Sequence, residues 1–136
     1  MRRVFADAAY WIGLFNPKDD LHEAAVAASQ GLVKTRLVTS EMVLTEVLNG
    51  FAKYPTLRGK VVTAVDAIAA DPNTEVAPQT AVLFREALAL YRQRQDKEWG
   101  LTDCSSFVIM RRLGLTESLT FDHHFEQAGF VALLRA

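Results

Sequence analysis

The chain has 136 residues, 50% of them hydrophobic and 23% charged, with a formal net charge of −1. That length and balance fit one globular domain and exclude a disordered chain, while the near-neutral charge argues against coating nucleic acid through bulk positive charge. The single cysteine, Cys104, excludes an internal disulfide and fits a reducing, cytoplasmic setting in which it serves as a small buried residue.

Met1 to Asp7 hold an apolar run too short for a signal peptide, and no stretch approaches the ~18 uncharged residues of a membrane span, so no membrane association is expected. Residues 3–7 read as a short buried strand running straight into Asp7. Residues 8–15 are apolar and lead to a turn at Asn16-Pro17-Lys18-Asp19. Residues 20–30 look helical, with Leu21, Ala24, Ala25 and Ala28 on one face. Leu37–Thr39 is a second strand, and Ser40 caps a helix over about 41–53 that carries Val43, Val47 and Phe51, ended by Pro55. A helix over 57–70 stops at Asp71-Pro72-Asn73, and Glu75-Val76-Ala77 forms a short strand. A long helix follows over 79–95, with Val82, Leu83, Leu88 and Tyr91 among its apolar positions. The next helix spans 103–113 and ends at Gly114 as a C′ glycine. Strands at 118–121 and 130–133 close the chain. Short strands alternating with helices predict an α/β fold of three layers, with a mostly parallel sheet covered on both faces.

Four acids stand where apolar stretches end: Asp7, Glu46, Asp103 and Asp122. Ligands of open α/β sheets bind outside the carboxyl ends of the strands. Carboxylates converging there repel one another unless a cation neutralises them, and oxygen-only sites suit Mg²⁺ or Mn²⁺. The pattern points to metal-assisted phosphodiester chemistry. Each acid also has an ordinary structural role. Asp7 can cap a helix or pair with Arg2 or Arg3, Glu46 can be a solvated helix residue, Thr102 or Asp103 can cap a helix, and Asp122 can close an Asx-turn. If Asp103 opens its helix, the positive helix end keeps it ionised, and Ser106, one turn on, is placed to bond a ligand water or a phosphate. His123 and His124 invite a zinc reading, but adjacent rings rarely face one ion and no third histidine follows at helical spacing. Arg92, Arg94 and Lys97 read first as a solvated face, and second as a rim that steers phosphates.

Phe5-Ala6-Asp7, Thr39-Ser40-Glu41 through Glu46-Val47, Leu101-Thr102-Asp103-Cys104 and Thr120-Phe121-Asp122-His123-His124-Phe125, in this order, resemble a PIN-domain ribonuclease. That family includes the VapC-type toxins of type II toxin–antitoxin pairs. The resemblance covers the whole chain and implies a PIN-like fold. It places Asp7, Glu46, Asp103 and Asp122 on the family's acidic quartet and Thr102 on the hydroxyl that usually precedes the third acid. It implies RNA hydrolysis with Mg²⁺, for which Mn²⁺ can substitute. Asp7, Asp103 and Asp122 would be ligands, with Glu46 either a ligand or the group that orients the attacking water. It further implies a cognate antitoxin and a homodimer. One departure is that Ala8 and Ala9 follow Asp7, where the family often has a hydroxyl. The rival readings are a receiver domain, which lacks here its paired acid and its lysine, a noncatalytic module whose acids merely cap helices, and a housekeeping RNA-processing nuclease of the same fold.

Overall fold

The computed structural model describes residues 1–135. Val4, Phe5 and Ala6 are fully buried, so the apolar start of the chain is a strand covered on both faces, β1 (Arg2–Ala6). It is followed by α1 (Ala8–Phe15), α2 (His22–Gln30), β2 (Thr35–Ser40), α3 (Glu41–Gly50), α4 (Pro55–Ala70), β3 (Thr74–Ala77), α5 (Ala81–Gln93), α6 (Leu101–Leu113), β4 (Glu117–Leu119), α7 (His123–Gln127) and β5 (Val131–Ala132). The five strands form one sheet in the order β3-β2-β1-β4-β5. Every pairing is parallel, with Val4 opposite Leu37 and Ala6 opposite Leu119. The predicted three-layer α/β architecture therefore holds, with a sheet parallel throughout.

The strand order fixes where a site can form. From β1 the chain builds outward through β2 and β3, then crosses to the other side for β4 and β5. The crevice between the carboxyl ends of β1 and β4 is the switch point of the sheet, where open α/β folds bind ligands. Asp7 N–H donates to Leu119 O across it at 3.2 Å.

Several boundaries differ from the sequence reading. Residues 8–15, an apolar run in the sequence, are helix α1, in which Ala8, Tyr10, Trp11 and Gly13 are buried. A Cβ on Gly13 would stand 3.3 Å from Ala25 Cβ, so this glycine lets α1 and α2 pack closely. Ala25 is buried there, while Ala24 is exposed. Pro55 does not terminate the preceding helix, which already ends at Gly50. It opens α4 instead, where its fixed φ and missing N–H cost nothing. On α5, Val82 and Tyr91 are 53% and 50% exposed, and the inward stripe runs through Leu83 and Ala87. α6 begins two residues earlier than expected, at Leu101. The last two strands are shorter than expected, so Asp122 lies three residues beyond the end of β4. Gly114, at φ 69°, ends α6 in the left-handed conformation expected of it.

Candidate active site

The four acids reach the switch-point crevice by different routes. Asp7 follows β1 directly, because Ala8 starts α1 without an intervening turn. Glu46 sits in the second turn of α3, whose start is fixed by the Ser40 Oγ that accepts from Val43 N–H at 3.1 Å. Val43, Leu44 and Val47 are buried beneath α3, which leaves Glu46 on its open side. Asp103 does not open α6. It is the third helical residue, behind Gly100 as N-cap, and its Oδ2 accepts from Gly100 N–H at 3.2 Å. Asp122 is the N-cap of α7, and its Oδ1 accepts from His124 N–H at 2.9 Å.

Electrostatics ties the four into one cluster. Burial pushes the Asp7 carboxyl up from 3.8 to about 7; hydrogen bonds from Ala8 and Thr120 oppose the rise, and Asp103 and Glu46 add to it. Glu46 is raised by partial desolvation and then by Asp103 and Asp122, while the Thr102 hydroxyl favours its ionised form. Asp103 is raised by burial and by Asp122, against the Gly100 N–H and His124. No arginine relieves Asp7, since Arg2 pairs with Glu117 at 2.9 Å and Arg3 with Glu75 at 3.1 Å. A salt bridge from Asp7 to either arginine, open from the sequence, is thereby ruled out. A buried Asp7 that no arginine neutralises, coupled to partly exposed Asp103, Glu46 and Asp122, is an oxygen-donor set that a hard divalent cation fits.

Two further residues contribute: Thr120, which no sequence pattern marks, and His124, which the sequence offers only as half of a histidine pair. Thr120 is fully buried, and its Oγ1 donates to Asp7 Oδ2 at 2.9 Å while accepting from Asp122 N–H at 3.0 Å. One hydroxyl thus links the first and fourth acids. His124 Nδ1 lies 3.3 Å from Asp103 Oδ2 and 3.2 Å from Asp122 Oδ1. The two neighbouring histidine rings do not turn apart as expected. Their centroids are 4.5 Å apart, and donor atoms of Asp122, His123 and His124 all lie within 4.8 Å of one another.

Other expectations are corrected by burial and pairing. Ser106 is fully buried rather than open to the cleft, and its Oγ has no partner among the described residues. Cys104 beside it is also fully buried, as expected of a structural cysteine. Arg94 is bound to Asp96 at 3.0 Å and stacks over Trp99 at 5.0 Å, which restrains it at the far end of α5. Trp99 is core: its ring meets Phe107 edge-on at 4.9 Å, Phe107 meets Phe125 in the same way at 4.9 Å, and Trp99 Nε1 donates to Gln127. That aromatic cluster seats α6 and α7, and so fixes Asp103, Asp122 and His124 relative to one another.

Comparison with known proteins agrees with this geometry. The model of the PIN domain family matches residues 4–131. The 23S rRNA-specific endonuclease VapC20 of Mycobacterium tuberculosis is 31% identical over 130 residues, covering 94% of this chain and 95% of that protein. The crystal structure of that VapC20, described as a sarcin–ricin loop cleaving toxin, superposes with a TM-score of 0.84 at 26% identity, over 94% of this chain and 96% of that one. VapBC2 from Rickettsia felis, solved bound to a DNA fragment, shares the fold at a TM-score of 0.69 and 13% identity, over 96% of each chain. The chain therefore belongs to the PIN domain family, among its VapC-type members.

Proposed function

We propose that this protein is a metal-dependent endoribonuclease that acts as the toxin of a type II toxin–antitoxin pair. The observation that carries the reading is the convergence of four mutually repelling carboxylates at the switch point, one of them buried with its pKa driven to about 7. A fold stabilised by ordinary caps has no use for such a cluster. VapC20, an rRNA endonuclease by name, supports RNA as the substrate class. The working form is a homodimer held in check by a cognate antitoxin in the cytoplasm.

Asp7, Asp103 and Asp122 would hold Mg²⁺, or Mn²⁺ in its place. Bound there, the cation supplies an activated water and neutralises charge developing on the phosphate. The chain's own groups do the positioning. Thr120 holds Asp7 Oδ2, Gly100 N–H holds Asp103 and the start of α7 holds Asp122, so the carboxylates keep their places before substrate arrives. Glu46, on the open side of α3, either completes the ligand set or orients the attacking water; the Thr102 hydroxyl favours its ionised form for both roles.

Induced alone in a bacterial host, the wild type should arrest growth and leave cleaved RNA in the arrested cells, and Asp103→Asn should relieve both. Arrest of equal depth by wild type and variant would remove the toxin reading. Arrest without RNA cleavage would remove the nuclease reading.

A further inference from the structure

Beside the acid cluster lies a cavity of about 390 Å³ whose lining includes Tyr91, Arg94, Lys97, Trp99 and Gly100. That volume falls within the roughly 300–1,000 Å³ of ligand sites. Gly100 joins the two places, since it lines the cavity while its N–H holds Asp103 Oδ2 at 3.2 Å. Arg94 forms the most ordered part of the wall. Its Nε and one terminal nitrogen each lie 3.0 Å from an oxygen of Asp96, and its guanidinium sits over the Trp99 ring, 5.0 Å from the centroid. Lys97 N–H closes the turn by donating to Arg94 O at 3.1 Å. The guanidinium is thus held flat, with one face on the buried Trp99, and its side chain is 38% exposed, which leaves the other face open. Tyr91, one turn earlier on α5, is 50% exposed beside it. Charge alone does not account for the arrangement. Arg94 and Lys97 are offset by Asp96 and Glu98, so this corner carries no net charge with which to hold a free anion. What it offers is flat, restrained π surface.

We propose that this cavity is a subsite for one nucleobase of a single-stranded RNA, stacked on the outer face of Arg94 against Tyr91, and that it holds the strand beside the acid cluster. The inference rests on the ribonuclease reading above. Unpaired RNA bases stack on aromatic rings and on guanidinium planes. Such stacking tolerates any base, because each has a π face. Asp96 and Trp99 fix the Arg94 plane before RNA arrives, which lowers the ordering cost of binding. Arg94 and Tyr91 bind the strand and take no part in hydrolysis.

The test uses the full wild-type chain in EDTA, which keeps the RNA whole. The probes are a fluorescein-labelled single-stranded RNA of mixed sequence and an abasic oligomer with the same ribose–phosphate chain, both read by fluorescence anisotropy. The wild type should bind the RNA more tightly than the abasic oligomer. Tyr91→Ala and Arg94→Ala should each weaken RNA binding about fivefold to a hundredfold and shrink the difference between the probes. Arg94→Lys keeps the charge but loses the plane, so it should bind as weakly as Arg94→Ala, whereas Tyr91→Phe should bind like the wild type. Full RNA binding by Arg94→Lys overturns the proposal by reducing Arg94 to a charge. Equal affinity of the wild type for both probes, or alanine variants that bind RNA like the wild type, also overturns it. Cleavage with Mg²⁺ by a wild type that shows no preference for the base-bearing probe overturns this inference alone. A wild type that neither binds nor cleaves RNA overturns the ribonuclease reading with it.

Discussion

Asp7 is where burial and charge conflict most directly. Its pKa in the folded, metal-free chain is about 7 against an ordinary 3.8. A raised carboxyl pKa means that the folded state holds the proton more tightly than the unfolded chain does. The stability this contributes is complete below about pH 4 and is lost as pH rises through about 7. Glu46 and Asp103 are also raised and act with the same sign. In EDTA the wild type should therefore melt at a lower temperature at about pH 8 than at about pH 5.5. Asp7→Asn should flatten that dependence and, at the higher pH, gain stability on the order of 3 kcal/mol. Thermal scans at both pH values check this, and a wild type that melts higher at the higher pH contradicts it. Thr120 makes a second test at this scale. Thr120→Val keeps the shape but takes the hydroxyl from Asp7 and from Asp122 N–H. It should cost about 1–3 kcal/mol in urea denaturation, because two buried polar groups lose their partner, and should lower RNA cleavage as the carboxylates loosen.

At the scale of elements, the apolar pattern carried most of the fold and local caps carried the boundaries. Val4-Phe5-Ala6, the Val43 and Val47 stripe and Gly114 each sit where their neighbours in sequence place them. Errors arose where a long-range contact outweighs a local preference. Val82 and Tyr91 stand with Leu83 among the apolar positions of this helix, yet α5 packs on α6 with Leu83 and Ala87 buried and Val82 and Tyr91 left exposed. Thr120 bonds a residue 113 positions away, and His124 one 21 positions away, so neither contact leaves a periodic trace in the sequence. The acids were legible because a carboxylate at the end of an apolar strand is locally unusual, whereas a threonine inside a strand-like run is not. Ser40 couples an element to the site, since its cap starts the helix that carries Glu46. Ser40→Ala should cost about 1 kcal/mol and lower cleavage by less than removal of any acid, as measured by denaturation and initial rates. Phe125→Ala, which empties the seat of α7, should cost about 3–5 kcal/mol and loosen Asp122 and His124 together. Unchanged melting of that variant would mean that the aromatic cluster does not hold the site.

For the whole molecule, the parallel sheet provides a single switch point, and all four acids meet there rather than being spread over the surface. Among the described residues no helix is long and apolar enough to cross a membrane. A cation that binds only the folded cleft should raise its stability by mass action, about 2.7 kcal/mol at a hundredfold excess over its dissociation constant. Mn²⁺ should therefore raise the melting temperature of the wild type. The gain should shrink in Asp122→Asn, although that variant also loses the cap of α7 and need not exceed the wild type in EDTA. The most direct test of the account is RNA cleavage by purified protein with Mg²⁺, with EDTA, and with Asp7, Asp103 or Asp122 each changed to Asn. The account predicts cleavage by the wild type only with the cation, and loss of most of it in each folded variant. Cleavage in EDTA, or undiminished cleavage by two of the three variants, would contradict it.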